Sequence, residues 1–398
     1  MTTTSLRRAT TVALPRPDGT LAEVELLPAP EGAERGAPPR SRVAYAAAHV
    51  VADPLTSATP AAPGQVDWPA TLAVRERVWA TGLGVAEAMD TAQRGMGITW
   101  PDVQTLVEAS LARCTELYGS PDGRVVVGVA TDQLTGPADL AAVTDAYLEQ
   151  LDFVESRGGT AVLMCSRELA RAARGPEDYA AVYGTVLASA RRPVVLHWLG
   201  AAFDAQLRGY WGGGSLDAAT EVVRAVIADS AGKVAGIKMS LLDADREIAM
   251  RRALPDGVRV LTGDDYNYLD LIAGDEQGHS DALLGAFALC APTAAAALRR
   301  LDVGDEAGYR ELLGPTVELS RHVFAAPTSY YKTGVAFVSY LQGYQGHPRM
   351  LGGLEAGRSV LHLARLVELA GQARILVDPE RTAHVVRRWL AALGIEGA

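Results

Sequence analysis

A chain of 398 residues with 48% apolar content is long enough to bury a large core. Its formal net charge of -10, with no run of Lys and Arg, argues against a nucleic-acid partner, because that surface must concentrate cations to replace phosphate counterions. Cys114, Cys165 and Cys290 lie far apart in apolar segments, so neither a disulfide framework nor a Cys-based zinc site is expected, and no signal peptide or membrane span is read; a cytoplasmic protein is expected.

Residues 1–40 are rich in Pro, Gly and small polar residues and predict an extended or hairpin-like N-terminal extension. From Ser41 onward, short β-rich apolar runs alternate with longer helical patterns, the rhythm of βα units on a parallel sheet. The predicted strands are 42–51, 83–88, 124–130, 160–166, 193–199, 233–240, 258–263 and 277–285. Helices are predicted among them over 102–117, 138–155, 177–190, 218–229 and 243–253, with Pro101-Asp102 and Pro176-Glu177-Asp178 as start signals. Eight such strands predict an α/β fold, a (β/α)8 TIM barrel over 41–303; no Gly-x-Gly-x-x-Gly turn follows the first strand, which disfavours an open doubly wound sheet. Residues 304–398 read as helix only, with segments at 306–322, 332–341, 358–369 and 379–393. This C-terminal region is expected to pack on the barrel or on a partner subunit of a homodimer or homotetramer.

Barrel enzymes carry their chemistry at the C-terminal ends of the strands. Reading the polar residues there gives His49 and Asp53; Glu87, Asp90 and Thr91; Thr131 and Asp132; Ser166; His197 and Trp198; Lys238 and Ser240; Asp264 and Asp265; and His279, Ser280 and Asp281. Lys238 is the sharpest of them. Only three lysines, at 233, 238 and 332, stand among the 37 basic residues, and Lys238 lies inside the apolar run Val234-Ala-Gly-Ile-Lys-Met-Ser240. Desolvation at a buried strand disfavours the ammonium, and a neutral amine attacks carbonyls to give an imine. The competing structural reading is a lysine paired with a neighbouring carboxylate or snorkelling to the rim. His197 is read as an acid/base partner or a satisfied core histidine, and Asp264 and Asp265 as substrate ligands or helix caps. Asp90, Thr91, Trp198, Ser240, His279 and Ser280 are read as substrate contacts. Tyr330-Tyr331-Lys332 and Arg349 are left between packing, subunit contacts and distal substrate contacts.

Three segments carry a family likeness. Gly236-Ile-Lys238, Val260-Leu-Thr-Gly-Asp-Asp265, and Gly278-His-Ser280 through Cys290-Ala-Pro292 together resemble, in order and spacing, motifs of the dihydrodipicolinate synthase and N-acetylneuraminate lyase family of class I aldolases. The resemblance spans roughly residues 42–350 and implies a Schiff base at Lys238, with no cofactor. The sequence departs from the family at strand five, where Leu196-His-Trp-Leu-Gly200 replaces the usual Tyr-Asn-x-Pro and removes the proton-relaying tyrosine. Met89-Asp-Thr91 stands loosely where a Gly-Thr-Thr carboxylate pocket is expected, and the aspartate would repel pyruvate. Glycines around Tyr210 and Trp211 predict a mobile aromatic lid.

The first functional expectation is therefore an imine-forming lyase, aldolase or dehydratase acting on a small carbonyl compound, such as a keto sugar or sugar acid. A second is a divalent-metal-dependent sugar isomerase, epimerase or lyase using His49, Glu87, Asp90, His197, Asp264 and His279. A third is a non-catalytic sugar-binding protein.

Overall fold

The computed structural model describes residues 10–30 and 33–397. Two strands, β1 (Thr10–Pro15) and β2 (Leu21–Leu26), form an antiparallel hairpin with Thr10 opposite Leu26 and Pro15 opposite Leu21. At its turn the Asp18 carboxylate accepts from the Thr20 amide and hydroxyl, and Gly19 takes the left-handed φ of 82° that the reversal needs.

Eight parallel strands then close a barrel: β3 (Ala44–Ala47), β4 (Gly84–Glu87), β5 (Val125–Val129), β6 (Thr160–Leu163), β7 (Val194–Leu199), β8 (Val234–Ser240), β9 (Arg259–Thr262) and β10 (Asp281–Leu284). Each falls inside a predicted run. β10 pairs with both β9 and β3, which completes the circle. Because successive strand residues face opposite sides, Tyr45, Ala86, Val126, Val162, Val195, Leu261 and Leu283 fill the barrel interior. Val85, Val127, Leu196, Ile237 and Val260 face the helical layer. On β7 and β8 the same alternation turns His197, Lys238 and Ser240 inward and Trp198 and Met239 outward.

The predicted helices form close to their expected bounds, from Trp100–Tyr118 to Ala244–Ala253. Three more complete the layer: Trp68–Thr81, Tyr268–Ala273 and Phe287–Leu301. Thr99 opens the helix at Trp100 by donating its amide to Asp102 at 2.8 Å, the acid anticipated at that start. In the C-terminal region the single segment expected over 306–322 breaks into Glu306–Leu313 and Thr316–Val323, since Pro315 has no amide to donate. The remaining helices are Tyr331–Leu341, Val360–Gln372 and Pro379–Ala392. The N-terminal hairpin packs on the last two, and the first places its N-terminal residues over the mouth of the barrel.

No helix among the described residues is long and apolar enough to cross a membrane.

Candidate active site

Lys238 stands near the C-terminal end of β8 with His197 beside it on β7 and Leu261 on β9. Only 7% of it is exposed. The room for it comes from Gly263: a Cβ there would lie 2.7 Å from Lys238 Cε and 2.2 Å from Ser240 Oγ. The glycine of the Thr-Gly-Asp-Asp segment is thus fixed by close approach to the lysine stem. Burial lowers the Lys238 pKa, and the charges of Asp90 and Asp265 oppose that shift.

His197 is buried, with Nε2 3.3 Å from Ser240 Oγ and Nδ1 without a partner. Burial, then the nearby Lys238, pushes it well below the usual imidazole value, so the ring is neutral at neutral pH. Asp265 accepts from the Ala286 amide at 2.8 Å. Burial raises its carboxyl to about 7, against the opposing effects of that hydrogen bond and Lys238. Asp264 has a different occupation. Its carboxylate accepts from the amides of Tyr266 and Asn267 and from Asn267 Nδ2, and so builds the turn after β9.

After β4 the chain turns sharply, with Ala88 (φ 52°) and Gln93 (φ 62°) both in the left-handed region, and presents Asp90 and Thr91. Thr91 Oγ1 lies 2.8 Å from the hydroxyl of Tyr331, at the start of helix Tyr331–Leu341. Tyr331 is 4% exposed, stacks on Phe324 at 4.4 Å, and meets the edge of Phe203. Burial, reinforced by Asp90, holds its phenol well above 10. The neighbouring Lys332 is also 4% exposed, donates to the Ser329 carbonyl at 3.2 Å, and is lowered by burial to about 8 against the pull of Asp90.

Two adjoining cavities of about 240 and 340 Å³ open on this rim and share Asp90, Arg94, Arg167, Leu199 and Asp204. Arg94 is held by Asp132 at 2.6 Å and Arg167 by Asp204 at 2.5 Å. The first cavity also takes in Thr131 and Ser166, and the second Tyr331 and Lys332.

A family model described as "Protein of unknown function (DUF993)" matches residues 12–395. The chain belongs to this family. A search of the curated proteins found no match. Among solved structures, the 4-hydroxy-tetrahydrodipicolinate synthase from the thermoacidophilic methanotroph Methylacidiphilum fumariolicum SolV is 16% identical, with a TM-score of 0.62 over 87% of this chain and 99% of that one. A putative dihydrodipicolinate synthetase from Pseudomonas aeruginosa is likewise 16% identical, with a TM-score of 0.58 over 82% and 99%. The dihydrodipicolinate synthase from Aquifex aeolicus gives 16% and 0.57 over 89% and 98%. At such identity the likeness is one of fold, and the family is a divergent branch on that barrel.

Of the residues singled out from sequence, the strand-end positions Asp90, Thr91, His197, Lys238, Ser240, Asp264 and Asp265 stand on the C-terminal rim. Three of those read as substrate contacts do not belong to it. Trp198 faces outward and packs edge-on against Trp211 at 6.5 Å, because strand alternation turns the neighbour of an inward residue out. His279 and Ser280 precede β10 and therefore sit at the opposite, N-terminal end of the barrel. There Ser280 donates to Glu247 at 2.7 Å, in the layer between barrel and helix.

The aromatic lid is also corrected. Tyr210 and Trp211 are 3% and 0% exposed, locked among Tyr179 and Tyr183, and the Tyr210 hydroxyl accepts from the Ser166 amide. The six residues considered as metal ligands are scattered. Glu87 faces the helices in a buried pair with Arg75, His49 bonds Gln345, and no group of three His, Cys, Asp or Glu among the described residues is placed to hold an ion.

Proposed function

We propose that this protein is an imine-forming lyase, in which Lys238 attacks the carbonyl of a small hydroxylated substrate. The observation that carries the reading is a buried amine near the end of β8, whose pKa desolvation lowers and which is flanked by Asp90, Asp265 and a neutral His197. The free amine adds to the carbonyl carbon, and loss of water leaves a protonated imine. Loss of an α-proton gives an enamine that expels a protonated β-hydroxyl as water and leaves an unsaturated imine for hydrolysis; alternatively, deprotonation of the β-hydroxyl breaks the Cα–Cβ bond, releasing a carbonyl fragment and leaving the electron pair as an enamine. Protonation of the enamine and hydrolysis then return the amine.

Each of these steps moves protons, and the site offers two groups for that work. Asp265, with its carboxyl near neutrality, can both give and take one. The Tyr331 hydroxyl, hydrogen-bonded to Thr91, stands in for the tyrosine that β7 lacks. Asp90 on the rim disfavours a 2-keto acid whose carboxylate would face it. It suits hydroxyl donors, which supports a keto sugar or a related polyol.

Borohydride reduction during incubation with a panel of keto sugars, aldoses and keto acids tests the reading. A stable mass adduct on Lys238, absent in Lys238→Met, is the expected result. An adduct confined to Lys332 or Lys233, or none across the panel, overturns it. Once a substrate is found, Tyr331→Phe is expected to keep the Lys238 adduct while turnover falls by about 10²- to 10⁴-fold.

A further inference from the structure

Of the three lysines in the chain, two have tasks. Lys238 is the amine of the lyase reading, and Lys233 donates to the Ala190 carbonyl at 2.7 Å, at the end of helix Pro176–Ser189. Lys332 is the third. It is 4% exposed and lines the second rim cavity. Among the described residues it has no ion pair, and its partners are the Ser329 carbonyl at 3.2 Å and the face of the Tyr331 ring at 4.6 Å.

An ammonium taken out of water without a paired carboxylate is costly. Burial lowers its pKa only to about 8, so it stays largely charged at neutral pH. The charges that act on it are those of Asp90, Arg167 and Asp204, and all three line the same cavity, so the ammonium is directed to that space. Asp204 is already paired with Arg167, and Asp90 acts on Lys238 and Lys332 alike without pairing with either. Arg167 uses only Nε in its pair. Its two terminal nitrogens have no partner among the described residues, and it borders both rim cavities. Arg94, by contrast, is filled by Asp132, Gln150 and the carbonyls of Ala88 and Gly128.

We infer that Lys332 and Arg167 form a subsite for an oxyanion, a carboxylate or a phosphate, at the end of the substrate away from its carbonyl, so that the substrate is an anionic keto sugar. The inference rests on the lyase reading for the end that meets Lys238. Asp90, whose charge reaches both amines, stands between the two ends and accepts from the hydroxyls of the substrate chain. Charge-assisted hydrogen bonds from an ammonium and a guanidinium are what such an oxyanion requires.

Two pairs of probes differ only at the distal end: L-sorbose and 5-keto-D-gluconate, in which a hydroxymethyl becomes a carboxylate, and D-fructose and D-fructose 6-phosphate. They are titrated calorimetrically into the full chain carrying Lys238→Met, which cannot form the imine. The anionic member of at least one pair is expected to bind about tenfold or more tightly than its neutral partner, as one hydrogen bond to a charged group provides. The pair that shows the preference tells carboxylate from phosphate. Adding Lys332→Met should bring the two affinities together. If that double variant does not fold, adding Arg167→Gln, at a more exposed residue, should lower the preference by about threefold or more. Equal affinity within both pairs, binding by none of the four, or a preference undiminished by either substitution overturns the inference. The borohydride adduct on Lys238 is followed separately in the native chain. An anion preference without any adduct refutes the lyase reading alone, and adducts formed equally well from both members of each pair refute this subsite alone.

Discussion

Glu247 and Asp265 are carboxyls that burial keeps protonated toward the neutral range, yet only Asp265 stands close to Lys238. Glu247 is buried between β9 and helix Ala244–Ala253. There it accepts from Thr262 at 3.0 Å and Ser280 at 2.7 Å, while burial raises it to about 8. The unfolded chain releases this proton near pH ~4.3. The folded chain therefore binds more protons between these values, and stability falls as pH rises across the interval, then levels above it. Glu247→Gln keeps the shape and cannot ionise. Thermal denaturation should show little change from the native chain at pH 5 and a stabilisation on the order of a few kcal/mol at pH 9; equal effects at both pH values would refute the assignment. A perturbed carboxyl is thus no sufficient mark of a site, and position must decide. Lys238 was legible in the sequence because one cation interrupts a strand of otherwise apolar residues. His279 and Ser280 were misplaced because they were read as strand-end residues although they lie at the start of the run 277–285 and precede β10 (Asp281–Leu284). That error moved two residues of the lower end to the upper one. Tyr331 and Lys332 were visible as residues but not as parts of the rim, since Tyr331 meets Thr91 across 240 positions of chain.

Among the elements, the eight strands were readable because parallel strands covered on both faces become short continuous apolar runs bounded by turns. Helix Trp68–Thr81 lacked such a signature. Its buried side carries Arg75, which breaks the apolar stripe that a helix against a barrel normally shows. The structure explains the exception. Arg75 makes two hydrogen bonds to Glu87 of β4, at 2.9 and 2.8 Å, and also donates to the carbonyls of His49 and Thr71, while Ser110 donates to Glu87 at 2.5 Å. Both charges are fully buried. The pair fixes the first helix to the second barrel strand and leaves no carboxylate free for a metal at Glu87. Arg75→Met should destabilise the protein by about 3–5 kcal/mol by stranding the buried carboxylate, and adding Glu87→Leu should recover most of that loss. Denaturant titration of both variants decides the matter: a double variant as unstable as the single one would mean that the pair contributes attraction beyond mutual neutralisation.

At the scale of the whole molecule, the two ends of the chain form a single layer that supports the mouth of the barrel. The hairpin buries Val12, Leu14, Val24 and Leu26, and β2 lies so close to helix Val360–Gln372 that a Cβ on Gly371 would come within 3.1 Å of the Glu25 carbonyl. Arg16 pairs with Glu368 at 2.8 Å, and Arg387 donates to the Thr11 carbonyl at 2.7 Å. The helices so clasped hold Tyr331–Leu341 in turn: Trp389 meets Phe337 edge-on at 4.9 Å, and Thr382 donates to the Leu341 carbonyl at 3.1 Å. That last helix carries Tyr331 and Lys332 at its start, so the hairpin is connected to the rim through two packed layers. A chain beginning at Pro28 loses four buried aliphatic side chains, each stabilising by roughly 1.5–3 kcal/mol, less the entropy of ordering the hairpin. Its melting temperature should fall. Hydrogen exchange should rise over 360–392 and also over 331–341, and the yield of the reduced Lys238 adduct should drop although every rim residue is present. If exchange over 331–341 stays at the native rate while 360–392 loosens, the hairpin stabilises its own neighbours only, and the geometry at Thr91 and Tyr331 is set by the barrel alone.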